Sequence, residues 1–132
     1  MRFVDANVFI YVAVKSPKDD FETSKKILRR IEGGEEAVTS TAVLQEVIDW
    51  LEYSDRREQV RDFIIAVNSY ATLRKVETTW EDMLGALDHV KDYDLSFVDG
   101  VNLQIMRRNG IREIYSNDRD FERVGWIHRV WE

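Results

Sequence analysis

The sequence predicts an α/β domain with a mostly parallel, five-stranded sheet and helices on both faces. Two observations lead there. Short apolar or β-branched runs alternate along the chain with longer segments whose apolar residues recur at helical spacing. Acidic residues follow the strand-like runs, at the carboxyl ends where such folds gather their ligand chemistry. With 132 residues the chain fits one compact domain, residues 1–132.

The first strand is expected at Arg2–Asp5, with a short helix over the apolar run Val8–Val14. Pro17 falls in a loop before a helix over about residues 19–32, where Phe21, Ser24, Ile27, Leu28 and Ile31 share a face and Gly33-Gly34 marks the stop. Ala37-Val38-Thr39 is short and β-branched, a second strand. A helix from Ser40 or Thr41 carries Val43, Leu44, Val47, Ile48 and Leu51 inward, and one over residues 56–69 carries Val60, Phe63, Ile64 and Val67. Residues 72–77 alternate as a third strand. Thr79 caps a helix to about Lys91, and Ser96 opens another to about Arg108. Asn109-Gly110 stops that helix before a fourth strand at 111–116. A short helical turn after Asp118 and a fifth strand within 126–131 complete the pattern.

Composition narrows the class. Hydrophobic residues make up 44% of the chain and charged ones 33%, values of a folded domain with a solvated surface. There is no cysteine, hence no disulfide, thiolate nucleophile or cysteine-based zinc site, which suits a cytoplasmic location. No apolar run reaches the roughly 18 residues of a membrane span. The net charge of −6 argues against a simple phosphate-coating DNA binder. It leaves room for a nuclease whose carboxylates hold cations, because bound cations invert the local field.

Four acids come from four separate segments: Asp5 ending the first strand, Glu46 in the helix after the second, Asp99 near the start of its helix, and Asp118 after the fourth strand. Converging carboxylates repel one another unless cations lie between them, and an all-oxygen donor set suits Mg²⁺ or Mn²⁺ rather than Zn²⁺. Such a site fits phosphodiester hydrolysis. Each acid also has a purely structural role available to it. Asp5 and Asp118 are well placed as caps, and Ser96-x-x-Asp99 matches a capping box. Glu46 lies about 130° from the centre of its helix's apolar stripe, where a solvated side chain belongs.

Taken in order, the segments resemble the PIN-domain nucleases, in particular the VapC-type toxins. Residues 4–10 (Val-Asp-Ala-Asn-Val-Phe-Ile) are similar to that family's opening strand with its first acid, and residues 40–47 to the helix of its second. Residues 93–99 (Tyr-Asp-Leu-Ser-Phe-Val-Asp) and 116–121 (Ser-Asn-Asp-Arg-Asp-Phe) are similar to the segments of its third and fourth. The resemblance implies a Rossmann-like three-layer α/β/α sandwich and an Mg²⁺- or Mn²⁺-dependent endoribonuclease using one or two ions per site. Its metal-binding and catalytic acids would be Asp5, Glu46, Asp99 and Asp118. It also implies that Asn7 and Ser116 orient those acids by hydrogen bonds, with Asp120 assisting. A homodimer, a small antitoxin partner and the toxin role in a type II toxin–antitoxin pair are further implications. Gly100 stands where the family more often has Ala, at a cost to the helix of about 1 kcal/mol, and Ser116 stands where Thr is usual.

An RNA substrate requires a basic rim, and three groups are available: Lys25, Lys26, Arg29 and Arg30; Arg107, Arg108 and Arg112; and Arg119 with Arg123. Arg119, beside Asp118, is the expected substrate contact. The four tryptophans are expected to pack in the core, with Trp50 and Tyr53 available to an interface. The alternatives are an orphan RNA-processing nuclease of the same family or a non-catalytic PIN-like module binding RNA or protein. Two unrelated acidic-site folds fit less well. A dehalogenase-type phosphatase needs a second Asp where Asn7 stands, and a phosphoacceptor receiver needs an Asp after the third strand, where Glu77-Thr78 stands.

Overall fold

Burial on both faces separates the central strands from the edges. In the computed structural model, which describes residues 1–132, β1 (Arg2–Val4), β2 (Ala37–Ser40) and β4 (Glu113–Tyr115) are almost wholly buried. In β3 (Leu73–Val76) only Leu73 is buried and Arg74 and Lys75 face solvent, while β5 (His128–Val130) buries only Val130. Charged, half-exposed strands are what protect a sheet edge from pairing with another chain. The order is β3-β2-β1-β4-β5 and every pairing is parallel, so the expected mostly parallel sheet is wholly so.

Six helices connect the strands: α1 (Ala6–Val14), α2 (Lys18–Glu32), α3 (Thr41–Tyr53), α4 (Val60–Ser69), α5 (Trp80–Tyr93) and α6 (Phe97–Arg108). Caps set their starts. The Asp5, Ser40, Thr79 and Ser96 side chains each accept a backbone N–H of the first turn of their helix. One segment expected as a single helix is divided: residues 57–59 form a 3-10 turn before α4. Within α4 Val67 is buried and Val60 and Phe63 half-buried, but Ile64, expected inward, is 43% exposed. α4 lies at the periphery against α3, and its apolar face is only partly covered. No helix is long and apolar enough to cross a membrane.

The tryptophans depart from expectation at one position. Trp50, Trp126 and Trp131 pack against the core, whereas Trp80, the first residue of α5, is 66% exposed. Met83, Leu84 and Leu87 follow it on the same outward helix face, at spacings of three and four residues.

α5 and α6 lie against each other with two close approaches. A Cβ built on Gly100 would stand 2.8 Å from Val90 Cγ2 and 3.0 Å from the Ala86 carbonyl oxygen; at Gly85 it would meet the Gln104 side chain. The far end of this hairpin is fastened by Arg108, whose Nε lies 2.6 Å from Asp82 Oδ1 and whose Nη2 also donates to the Glu77 carbonyl. Asp82 closes a capping box with Thr79, each side chain accepting the other's backbone N–H. Glycine at position 100 therefore permits the helix contact, a role that stands beside its cost to helix propensity. We expect Gly100→Ala to lower stability by about 1–3 kcal/mol in urea unfolding despite its better helix propensity; a gain in stability would show that the contact can relax.

Candidate active site

The strand order reverses direction at β1: the chain builds β2 and β3 on one side and β4 and β5 on the other. Such a reversal opens a crevice beyond the carboxyl ends of the two strands that flank it. Parallel pairing sets Val4 beside Tyr115, which brings Asp5 and Ser116 to the mouth together. Asp5 Oδ1 accepts from the Ala6 N–H at 2.8 Å, so the capping role is real. The other oxygen is engaged across the crevice: Ser116 Oγ donates to Asp5 Oδ2 at 2.7 Å and Asn7 Nδ2 lies 3.4 Å away. Asn7 also donates to Ser116 Oγ at 3.2 Å and accepts the Asn117 N–H at 3.3 Å, while the Asp118 N–H donates to Ser116 Oγ at 3.0 Å.

Asp118 begins a 3-10 turn at 119–123, and its Oδ1 accepts the Asp120 N–H at 2.9 Å. Asp120 thus steadies Asp118 through its backbone. Its own carboxylate is turned to Arg123, 2.9 Å away, and Arg123 also reaches the Asp94 carbonyl. Arg119 is 80% exposed beside the acids, with one loose contact to Glu122 at 3.6 Å.

Asp99 and Glu46 complete the cluster. Ser96 Oγ accepts the Asp99 N–H at 3.2 Å, but the Asp99 carboxylate does not bond back to the Ser96 backbone, so the capping box is left half-open. Burial, then the charges of Asp5 and Asp118, push the Asp99 carboxyl up to about 8. Burial, then Asp5, Asp118 and Asp49, push Glu46 up to about 7. Burial also raises Asp5, against the opposing hydrogen bonds from Ser116 and Ala6. Mutual repulsion of this kind requires proximity, so all four acids picked out in the sequence share one end of the sheet. Glu46 is half-buried rather than solvated because its side of α3 faces Met83, Phe97 and Val101 of the α5–α6 hairpin.

As the side chains stand, no group of three or more His, Asp or Glu residues is drawn closely enough together to hold a metal ion. The donor chemistry nevertheless fits a hard divalent cation: carboxylate oxygens only, raised in pKa at Asp5, Glu46 and Asp99, with nothing cationic bonded to Asp5, Glu46, Asp99 or Asp118. Asn102, one turn beyond Asp99 on α6, is fully buried, and neither polar atom of its carboxamide has a partner. Buried amides are almost always bonded, which makes Asn102 a residue of interest that a helical stripe of mixed character hid in the sequence.

The model of the PIN domain matches residues 2–127. The chain belongs to the PIN domain family. Among curated proteins it is similar to a VapC ribonuclease of Mycobacterium bovis and to ribonuclease VapC13 of Mycobacterium tuberculosis. Each is 29% identical over 134 aligned residues, covering 98% of this chain and 99% of the relative. Among solved structures, the PIN fold is shared with Mycobacterium tuberculosis VapC20, described as a toxin that cleaves the sarcin-ricin loop. The TM-score is 0.80 at 22% identity, over 96% of this chain and 97% of that one. It is shared too with VapBC2 of Rickettsia felis bound to a promoter DNA fragment, with a TM-score of 0.72 at 14% identity over 99% and 98% of the two chains. In this PIN domain the reversal between β1 and β4 is thus what sets the acidic crevice.

The raised acids give a pH dependence of defined sign. A carboxyl whose folded pKa exceeds its unfolded value adds stability at low pH and loses it as pH rises through the folded value. Asp99 and Glu46 start from 3.8 and 4.5, so the metal-free fold is expected to weaken steadily from about pH 4 to about pH 8. Thermal melts in EDTA check this. Mn²⁺ should restore stability at the upper end and have little effect near pH 5, and Asp99→Asn should flatten the profile. Stability rising with pH over this range in EDTA would contradict the assignment.

Proposed function

We propose that the chain is a divalent-metal-dependent endoribonuclease and the toxin of a type II toxin–antitoxin pair. The observation that carries this reading is the gathering of Asp5, Glu46, Asp99 and Asp118 at the β1–β4 crevice, where the charges of Asp5 and Asp118 add to burial in raising Glu46 and Asp99. The names of the near-full-length relatives, VapC ribonucleases, support RNA as the substrate. Asp5, Glu46, Asp99 and Asp118 would hold Mg²⁺ or Mn²⁺, one or two ions per site. A cation held there would activate a water and neutralise charge on the leaving oxygen. Ser116 and Asn7 fix the Asp5 carboxylate, and the Asp120 N–H fixes that of Asp118. The guanidinium of Arg119, exposed and held only by a loose contact to Glu122 at 3.6 Å, would meet a phosphate of the strand. RNA would be taken single-stranded or in a loop, where its backbone can enter the crevice.

The decisive test is cleavage of labelled single-stranded and loop RNA by purified protein with Mg²⁺, with Mn²⁺ or with EDTA. Cleavage should need the metal and fall about a thousandfold in Asp5→Asn and Asp99→Asn. Ser116→Ala should weaken the metal requirement's affinity by about 10–100-fold. Equal cleavage by wild type and both Asn variants would point to a contaminating nuclease. Absence of cleavage with either metal would favour a non-catalytic RNA- or protein-binding module.

We extend the proposal to partners. The exposed face of α5, with Trp80, Met83, Leu84 and Leu87 beside Phe97, supports a homodimer, since contiguous exposed apolar surface marks association. Leu84→Glu/Leu87→Glu should halve the mass measured by light scattering; an already monomeric wild type would refute this. A small antitoxin is supported by the toxin–antitoxin complex of Klebsiella pneumoniae among the structures sharing this fold, with a TM-score of 0.68 at 12% identity over 97% and 96% of the two chains.

A further inference from the structure

A cavity of about 470 Å³, lined by Tyr93, Arg107, Gly110, Ile111, Arg112 and Trp126, opens beside the end of α6. We propose that it is a nucleotide-binding pocket separate from the carboxylate crevice, taking phosphate on Arg107 and Arg112 and a base against Tyr93 and Trp126.

The two arginines are free. Neither takes part in any of the chain's ion pairs or side-chain hydrogen bonds, whereas their neighbour Arg108 is locked onto Asp82. Neither stacks on a ring of the protein; those cation–π contacts belong to Arg2, Lys25 and Arg56. Glu113, next to Arg112, is the nearest acid in sequence and is held by Arg2 at 3.5 Å instead. Two unspent guanidinium forks on one cavity of an acidic protein are suited to a phosphate, which they match bidentately.

The aromatic wall is braced from behind. His89 is buried, with Nε2 3.0 Å from Gln104 Oε1, and its ring stacks on Tyr93 and tilts against Trp126, each at 6.3 Å between centroids. Tyr93 and Trp126 are half-exposed, and Ile111 is buried beneath the cavity. Gly110 turns the chain with φ +68, and its missing side chain leaves the rim open. Half-exposed rings packed on a buried one are what a base stacks on without sequence preference.

The pocket is distinct from the acids. Asp99 lies in the first turn of α6 and Arg107 in its last, about 12 Å apart along the helix axis. Arg112 precedes β4 and Ser116 follows it, about 13 Å along the strand. The ligand chemistry is a base carrying a phosphate, whether a free mononucleotide or one residue of an RNA strand.

The test is a titration of the full-length ¹⁵N-labelled chain in EDTA, read at the Trp126 indole N–H, which Trp126→Phe identifies. AMP and UMP should shift that signal saturably, with adenosine and inorganic phosphate each binding about tenfold more weakly or less. Arg107→Ala/Arg112→Ala should weaken mononucleotide binding about tenfold or more with an unchanged Tm, because both side chains are exposed and unpaired. A short oligoribonucleotide that binds tighter than the mononucleotide and loses that affinity in the double variant would identify a strand as the source. Equal affinities would identify a free nucleotide. No saturable shift with any nucleotide, or the same affinity in the double variant, overturns the proposal. The readout is binding without metal or cleavage, so it is independent of whether the carboxylates hydrolyse RNA.

Discussion

A carboxylate buried as deeply as that of Asp5, which is 5% exposed, survives in a fold only where its oxygens are taken up by donors. Here the donors come from both sides of the β1–β4 crevice: the Ala6 N–H from the chain that continues β1, and the Ser116 hydroxyl from the chain that continues β4. Ser116 in turn accepts from Asn7 and from the Asp118 backbone. One hydroxyl therefore ties together the loops that carry the first and last acids. The parallel register that sets Val4 beside Tyr115 makes this possible, so sheet pairing and site geometry are a single constraint.

The α5–α6 hairpin supplies the remaining boundary of the site. Its spacing is set at Gly100, directly after Asp99, where α6 rests on the Ala86 carbonyl and on Val90. Its outer end is closed by Arg108 on Asp82. Asp99 is thereby held by backbone contact on one side while its carboxylate remains open to the crevice. Glu46 meets the same hairpin from α3, which explains why a residue off the apolar stripe is drawn out of solvent.

Much of this was legible in the sequence, and the exceptions have physical causes. The end of β1 shows because an apolar run stops on an acid that can cap, and the helix starts show because Thr79 and Ser96 precede apolar periods. Glu46 was not legible as an inward residue, because helical periodicity reports one packed face and α3 has a second, partial one. Trp80 departs from its expected burial for the converse reason: a tryptophan's size argues for burial, but position 80 begins a helix whose outer face nothing in this chain covers. Gly100 looks like a weakness to helix propensity and becomes a requirement only once α5 is alongside. Residues 57–59 interrupt an expected helix within a stretch that has no proline or glycine to announce it.

Both helices of the hairpin open on the same four-residue phrase, Thr79-x-x-Asp82 and Ser96-x-x-Asp99, and as grammar the two acids are synonyms. Their surroundings make them opposites. Burial alone would raise Asp82, but the hydrogen bonds and charge of Arg108, with the Thr79 backbone, outweigh it and hold that carboxyl below its ordinary value. Asp99, without a cation and facing Asp5 and Asp118, stands near 8. At neutral pH the first is a fixed anion that fastens two helices. The second is poised near its midpoint, so a proton or a metal ion can decide its charge.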